Sequence, residues 1–154
     1  MISKNISYNE AVNSKTAIRL GINNIPNAEQ LSSMKDLAER VFQPIREHFN
    51  VPIYISSFFR SEALNKSIGG SKTSQHCKGE AMDLDGDAFS GVTNAQIFNY
   101  IKDNLEFDQL IWEFGTDKNP NWVHVSYSKN KNRGKVLKAV KSGGKTTYQN
   151  YVGV

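Results

Sequence analysis

Three residues of the types that bind zinc stand out in this sequence by their positions: His76, Asp83 and His124. In residues 80–85, strand-like alternation places Asp83 opposite two apolar residues, and in residues 122–127 it places His124 opposite two valines. Two histidines and one carboxylate suffice for a catalytic zinc, which keeps a fourth position for water. The ion lowers the pKa of that water toward about 7 and polarises a carbonyl. The spacing alone also permits a polar cluster that satisfies itself without an ion.

Glu113 is the carboxylate that could take a proton from such a water. The strand candidates that carry Glu113 and His124 are joined by residues 115–120, a turn-rich connection of hairpin type. If the hairpin places Glu113 opposite Trp122, Glu113 lies diagonally from His124, about 7–8 Å away. A register slip of one residue would turn Glu113 to the other face. The alternative role for Glu113 is a carboxylate at the hairpin edge that pairs with a lysine.

Helices are predicted mainly in the first half of the chain. Ser7 has capping-box spacing and predicts a short helix that ends near Gly21. Pro44 falls inside the longest amphipathic pattern and is predicted to kink or restart that helix, because proline removes an amide donor. Apolar periodicity and capping residues predict further helices at 28–49, 61–68 and 93–105.

Strands are predicted at 51–58, 80–85, 108–114, 121–127, 135–140 and 146–151. Helices come first and antiparallel hairpins last, which predicts an α+β fold with helices packed on one side of a mostly antiparallel sheet. A chain of 154 residues fits one domain. We expect a helical part at about 1–50, the sheet and metal site at about 51–128, and a basic hairpin at about 129–154.

The composition is that of an ordinary globular protein, with 38% hydrophobic and 22% charged residues. It excludes collagen-like, low-complexity and disordered classes. No run of about 18 apolar residues occurs, so no membrane span is expected. The first six residues lack the apolar stretch of a secretory signal, so we expect synthesis in the cytoplasm without a signal peptide. The single cysteine, Cys77, excludes an internal disulfide, and we expect it to serve packing.

Positive charge is concentrated near the end of the chain. The net charge is +4, and residues 129–145, the basic segment, carry seven basic residues and no acidic one. Such a segment indicates a polyanionic partner, which could be nucleic acid, anionic lipid or an acidic wall polymer. Few aromatic residues interleave with the charges, which argues against single-stranded nucleic acid. The alternative is a solvated surface hairpin.

Several separate runs share one family pattern. They are Ser57-Phe58-Phe59-Arg60-Ser61, Asn65, residues 69–76, and the run Ser-x-His-x-x-Gly-x-Ala-x-Asp that ends at Asp83, followed downstream by the strand of His124. In these residues the chain resembles the M15 family of zinc D-alanyl-D-alanine peptidases. The resemblance covers most of the chain and is closest to the compact single-domain branch found in phages and bacteria.

The resemblance implies a Hedgehog/DD-peptidase-like zinc fold in which His76, Asp83 and His124 bind Zn²⁺. It implies that Arg60 receives a carboxylate or carbonyl of the substrate peptide, for which its planar fork of donors is suited. It also implies that Ser74 lines the site and hydrogen-bonds the substrate. The alternatives are a surface ion pair for Arg60 and a simple turn residue for Ser74.

The chain departs from the family at the general base. Many members carry Asp or Glu three residues before the second metal histidine, whereas this chain has Asn121, which is not a useful proton acceptor. Glu113 is predicted to be the catalytic base instead; otherwise the protein is inactive. Asp85 is a third candidate on the face of Asp83, and we expect it to orient a ligand histidine. Gly79 is expected to allow a tight turn before the strand of Asp83.

The sequence therefore predicts a zinc-dependent peptidoglycan peptidase, either a D-alanyl-D-alanine carboxypeptidase or a murein endopeptidase. Its expected partners are stem peptides and an anionic wall polymer, and the expected state is a monomer. The lack of a signal fits a phage endolysin that acts at the cell wall after phage-induced release. The alternative from another class is a catalytically silent, zinc-containing wall-binding module. Nucleic-acid binding through the basic segment ranks last.

Overall fold

The computed structural model describes residues 1–153, which form an α+β fold. The helices are α1 (Tyr8–Val12), α2 (Lys15–Leu20), α3 (Ala28–Leu37), α4 (Gln43–Phe49), α5 (Glu62–Ser67) and α6 (Asn94–Asn104). The strands are β1 (Tyr54–Ser57), β2 (Ala81–Asp85), β3 (Gln109–Glu113), β4 (Trp122–Ser126), β5 (Lys135–Ser142) and β6 (Lys145–Asn150). Within these residues, every helix is too short or too polar to cross a membrane.

The first predicted helix is divided in two at Asn13. Ser7 caps α1 as predicted, because its hydroxyl accepts a hydrogen bond from the backbone N–H of Glu10. Asn13 is extended, with φ −66° and ψ 130°, and Ser14 then caps α2 in the same way. Gly21 ends α2 in a left-handed conformation. The prediction of one helix up to Gly21 is therefore wrong in its middle, where a second cap interrupts the helix.

The long amphipathic helix passes Pro44 by way of a π-helical segment, Ala38–Phe42, between α3 and α4. The backbone N–H of Gln43 reaches back five residues to the carbonyl of Ala38. Proline has no N–H and its ring crowds the carbonyl four residues earlier, so the wider π turn gives it room. Pro44 therefore lies in the first turn of α4, which is the predicted restart.

The six strands form one sheet in the order β1-β2-β4-β3-β5-β6. Four of the five neighbouring pairs are antiparallel, and β3 pairs with β5 in parallel. The parallel pair arises because residues 127–134 pass around the start of β3, where both Ser126 and Lys135 bond to Asp108, so β5 begins at the end of the sheet where β4 ends. The predicted α+β class is confirmed, and the sheet is mixed.

One face of the sheet packs against the helices and forms the core. The sheet residues of this face are almost completely buried; they are Met82, Leu84, Leu110, Trp112, Val123 and Val125. From α6 they meet three buried apolar residues, Ile97, Phe98 and Ile101. Burial of each large side chain contributes roughly 1.5–3 kcal/mol, so a register slip that exposed them would be costly. The core thus fixes which residues the opposite face carries.

The hairpin of β5 and β6 forms one edge of the sheet, and β6 is exposed throughout. The basic segment, which includes β5, is held to the rest of the protein by three ion pairs, Lys129–Asp36, Arg133–Asp108 and Lys138–Asp117. Part of its positive charge is therefore paired within the protein, which an interpretation as a polyanion site alone did not predict.

Candidate metal centre and active site

His76 lies on a 3₁₀ turn, Gln75–Lys78, whose two ends are fixed locally. The hydroxyl of Ser74 accepts a hydrogen bond of 3.3 Å from the backbone N–H of His76. Gly79 ends the turn with φ +73°. A Cβ on Gly79 would lie 2.4 Å from the carbonyl oxygen of Gln30, so the turn packs directly on α3. The tight turn predicted at Gly79 is confirmed.

The imidazole of His76 is buried and its two nitrogens have different partners. Nδ1 lies 2.7 Å from the carbonyl oxygen of Phe58. A carbonyl can only accept, so Nδ1 must donate its proton there. Nε2 is buried and has no hydrogen-bond partner among residues 1–153. It lies 3.4 Å from Oδ1 of Asp83, with its lone pair available to a cation.

Asp83 and His124 are brought together by strand register. They are direct partners in the antiparallel pair of β2 and β4. Nδ1 of His124 lies 3.0 Å from Oδ1 of Asp83. One ligand atom each from His76, Asp83 and His124 lie within 4.8 Å of one another, so the three predicted ligands form one cluster.

The protonation states of the cluster suit a cation. Burial lowers the pKa of His76 and outweighs the attraction of Asp83, so the neutral imidazole is favoured. Burial would raise the pKa of Asp83, but the hydrogen bond from His124 helps to hold that pKa well below the usual range. Asp83 is therefore an ionised carboxylate beside a neutral imidazole.

A zinc ion fits this set of donors. Ligands about 2.0–2.1 Å from a tetrahedral ion are roughly 3.3 Å apart, and the observed separations from Oδ1 of Asp83 are 3.4 Å to His76 and 3.0 Å to His124. The buried, unpartnered Nε2 of His76 is the strongest indication, because such an atom is costly unless something binds it. The hydrogen bond to Phe58 is of the kind that orients histidine ligands of metals.

Arg60 lies beside the cluster, on the side of β1. Its Nη2 donates to Oδ2 of Asp83 at 3.4 Å, while Nε and Nη1 donate to Ser57 and Asn65 at 3.1 Å and 3.3 Å. The side chain is 17% exposed. Arg60 thus forms an ion pair, as the alternative interpretation held, but with a candidate metal ligand inside the cleft.

Glu113 lies on β3, on the same face of the sheet as Asp83 and His124. It pairs with Trp122, and its backbone carbonyl accepts a hydrogen bond of 2.9 Å from the N–H of Asn121. The predicted hairpin register is therefore confirmed, and Glu113 is diagonal to His124. Burial raises the pKa of Glu113 to about 7; His124 acts to lower it and Asp83 to raise it. A carboxyl group with this pKa can both accept and release a proton near neutral pH.

Other predicted residues have different positions. Ser74 caps the turn of His76 and lines the cleft. Cys77 is half-buried beside His76 and stays outside the cluster, consistent with packing. The expected role of Asp85 in orienting a ligand histidine does not match its contacts. Its Oδ1 accepts a hydrogen bond of 3.1 Å from Asn94 at the start of α6.

The site residues line an open cleft of about 970 Å³. One wall contains a network that the sequence did not predict. The guanidinium of Arg133 donates to both oxygens of Asp108, at 2.9 Å and 3.0 Å, and Nε2 of Gln75 donates to Oδ2 at 3.0 Å. These bonds connect the turn of His76 to the basic segment. The one sequence signal was the position of Gln75 next to His76.

Comparison with known families agrees with this geometry. The family model described as Peptidase M15 matches residues 4–126. The chain belongs to the M15 peptidase family. Membership makes this M15 peptidase a metallopeptidase, and such enzymes commonly use zinc. The match ends at the last residue of β4, so β5 and β6 lie outside it. No curated protein matches the chain.

Proposed function

We propose that this M15 peptidase is a zinc-dependent enzyme that hydrolyses peptide bonds of peptidoglycan, as a D-alanyl-D-alanine carboxypeptidase or a murein endopeptidase. The observation that carries the proposal is the buried, unpartnered Nε2 of His76, which faces Asp83 at 3.4 Å beside His124. In this proposal, His76, Asp83 and His124 hold the zinc ion. The whole chain acts as one peptidase domain.

The chemistry is divided between the ion and two side chains. Zinc, when bound, supplies Lewis-acid activation of water and of the scissile carbonyl. Glu113 accepts the proton of the attacking water at its carboxylate and delivers it to the leaving nitrogen. Its raised pKa of about 7 supports both halves of that task.

Arg60 and Ser74 bind the substrate. The guanidinium of Arg60 already neutralises one carboxylate, Asp83, and its fork can donate to a carbonyl or carboxylate of the peptide. The hydroxyl of Ser74 can donate to the substrate while it accepts from the backbone N–H of His76. Both residues line the cleft that contains Glu113.

The cell wall is the proposed place of action. The positive charges of the basic segment that are not in ion pairs would concentrate the protein on an anionic wall polymer. An enzyme made in the cytoplasm reaches that polymer after phage-induced release, which is the expected route of an endolysin.

Hydrolysis of purified peptidoglycan tests the proposal. We expect the zinc-loaded protein to solubilise wall material, to lose this activity with a chelator and to regain it with zinc. Glu113→Gln should lower the rate at least about 100-fold while zinc content is retained. The matched control is Glu39→Gln, an exposed glutamate on the π-helical segment.

The alternative, a silent zinc-containing wall-binding module, is favoured by Asn121, which stands where many relatives have an acid. The same experiment separates the two functions. Stoichiometric zinc and binding to the wall, without release of peptide or alanine from any wall type, would establish the module and refute the enzyme.

A further inference from the structure

A row of side chains crosses the open face of the sheet from the candidate site to its exposed edge. Glu113 on β3 is in register with Ala139 on β5, and Ala139 is in register with Tyr148 on β6. Residues in register on neighbouring strands project to the same face. Tyr148 therefore projects to the face of Glu113, two strands further along.

Ala139 is the small member of this row. It is fully buried although it lies on the face away from the helices, where it packs with Ile111 and Leu137. An alanine methyl leaves space above β5 that a larger side chain would fill. The ring of Tyr148 can therefore reach across β5 toward Glu113, and Tyr148 lines the same cleft.

The electrostatics of Tyr148 agree with this position. Partial burial, followed by the carboxylates of Glu113 and Asp83, raises the pKa of Tyr148. The two carboxylates influence it because they share its cleft. The phenol therefore keeps its proton and can donate a hydrogen bond at any pH at which the protein would work. Tyr148 is also 57% exposed, so a bound molecule can reach it.

We propose that Tyr148 is a substrate-binding residue of this site, whose hydroxyl donates a hydrogen bond to a backbone carbonyl or carboxylate of the bound peptide. The inference rests on the proposed function. The strand order places Arg60 at the end of the site near β1 and Tyr148 at the end formed by β6, with the metal cluster and Glu113 between them. A peptide that lies across the strands contacts both ends.

This assignment gives the C-terminal hairpin a function. The matched family region ends at residue 126, and it contains the proposed metal ligands, the proposed base and the other proposed substrate-binding residues. Tyr148 and Thr146 reach the cleft from β6, outside that region. The hairpin thus adds a wall that the family pattern alone does not supply, and this wall can select among substrates.

The test compares Tyr148→Phe with the matched control Gln149→Ala, which removes the exposed neighbouring side chain on the opposite face of β6. The substrate is an N-acylated tripeptide that ends in D-alanyl-D-alanine, with purified peptidoglycan as the second substrate. We expect Tyr148→Phe to lower kcat/KM roughly tenfold, which corresponds to one lost hydrogen bond. The loss should appear mainly in KM, because the contact lies away from the reacting carbonyl.

The possible outcomes separate the two proposals. Zinc content and Tm should equal those of wild type in both variants. Phenylalanine keeps the ring of Tyr148, and Gln149 is exposed. Wild-type hydrolysis combined with an unchanged kcat/KM in Tyr148→Phe would refute the role of Tyr148 alone. No hydrolysis of either substrate by the wild type would refute the proposed function, and with it this inference.

Discussion

Nδ1 of His76 donates a hydrogen bond of 2.7 Å to the carbonyl oxygen of Phe58. Phe58 directly follows β1, so this bond connects the edge of the sheet to the turn that carries His76. It fixes the imidazole as the tautomer with its lone pair on Nε2. A buried nitrogen with a free lone pair beside an ionised carboxylate is prepared for a cation before the cation arrives.

His76→Ala should therefore abolish stoichiometric zinc binding. In wild type, zinc at about 1,000 times its Kd should raise the free energy of unfolding by about 4 kcal/mol. The variant should lose this gain, because two remaining ligands hold the ion poorly. Zinc content by elemental analysis and Tm with and without zinc measure both effects. The control is His48→Ala, because His48 is not part of the cluster and stacks on Tyr100, with 4.2 Å between the ring centroids. Equal zinc binding by the two variants would contradict the assignment.

Glu113 should lower the stability of the metal-free protein at alkaline pH. Its pKa is raised from 4.5 to about 7 in the fold. The folded state therefore binds a proton more tightly than the unfolded chain, and stability falls as pH rises from about 4.5 through 7. The difference corresponds to about 3 kcal/mol. Glu113→Gln should thus be more stable than wild type at pH 8 by up to this amount, and equally stable at pH 4.

Urea unfolding in the presence of a chelator measures this difference at both pH values. Glu39→Gln is the control, because it makes the same substitution at an exposed position. A Glu113→Gln variant that is less stable than wild type at pH 8 would show that the ionised carboxylate has favourable partners.

The rate of hydrolysis should follow the ionisation of the same carboxyl group. A general base acts only when deprotonated, so kcat/KM should rise tenfold per pH unit below the pKa of Glu113, which is about 7 without zinc, and level off above that pKa. Binding of zinc beside Glu113 favours the ionised form and moves the midpoint to lower pH. Initial rates between pH 5 and 9 give the profile. A pH profile of the same shape in Glu113→Gln and in wild type would exclude Glu113 as the base.

Local patterns predicted much of the candidate site. The alternation in β2 and β4 placed Asp83 and His124 on one face, because each side chain is flanked by residues that the core must bury. The short hairpin loop fixed Glu113 opposite Trp122, since loop length constrains register. These features depend on neighbours in sequence or on a single turn.

Contacts between distant segments were not predicted. The carbonyl of Phe58 as partner of His76, and the pairing of Asp108 with Arg133, join residues that carry no shared pattern. The parallel pairing of β3 with β5 depends on the path of residues 127–134, which alternation does not encode. The division of the first helix came from a second serine cap, Ser14, at a position where the helical pattern alone continued.

Gly79→Ala should both destabilise the protein and weaken its binding of zinc. Gly79 has φ +73°, and a Cβ there would lie 2.4 Å from the carbonyl oxygen of Gln30, a backbone atom that cannot rotate away. The left-handed conformation costs a non-glycine residue about 1–2 kcal/mol. Relief of the clash must in addition move the turn of His76 off α3, so the free energy of unfolding should fall by at least about 3 kcal/mol.

Gly21→Ala separates the two causes. Gly21 has φ +65°, but a Cβ there meets no atom within 4 Å, so this variant should show only the conformational cost of about 1–2 kcal/mol and unchanged zinc affinity. Denaturant unfolding and zinc titration of both variants measure the difference. The excess cost in Gly79→Ala reports how firmly α3 holds the turn, because displacing that turn shifts Nε2 of His76 away from Asp83. Equal effects of the two substitutions would mean that the turn can move without disturbing the cluster.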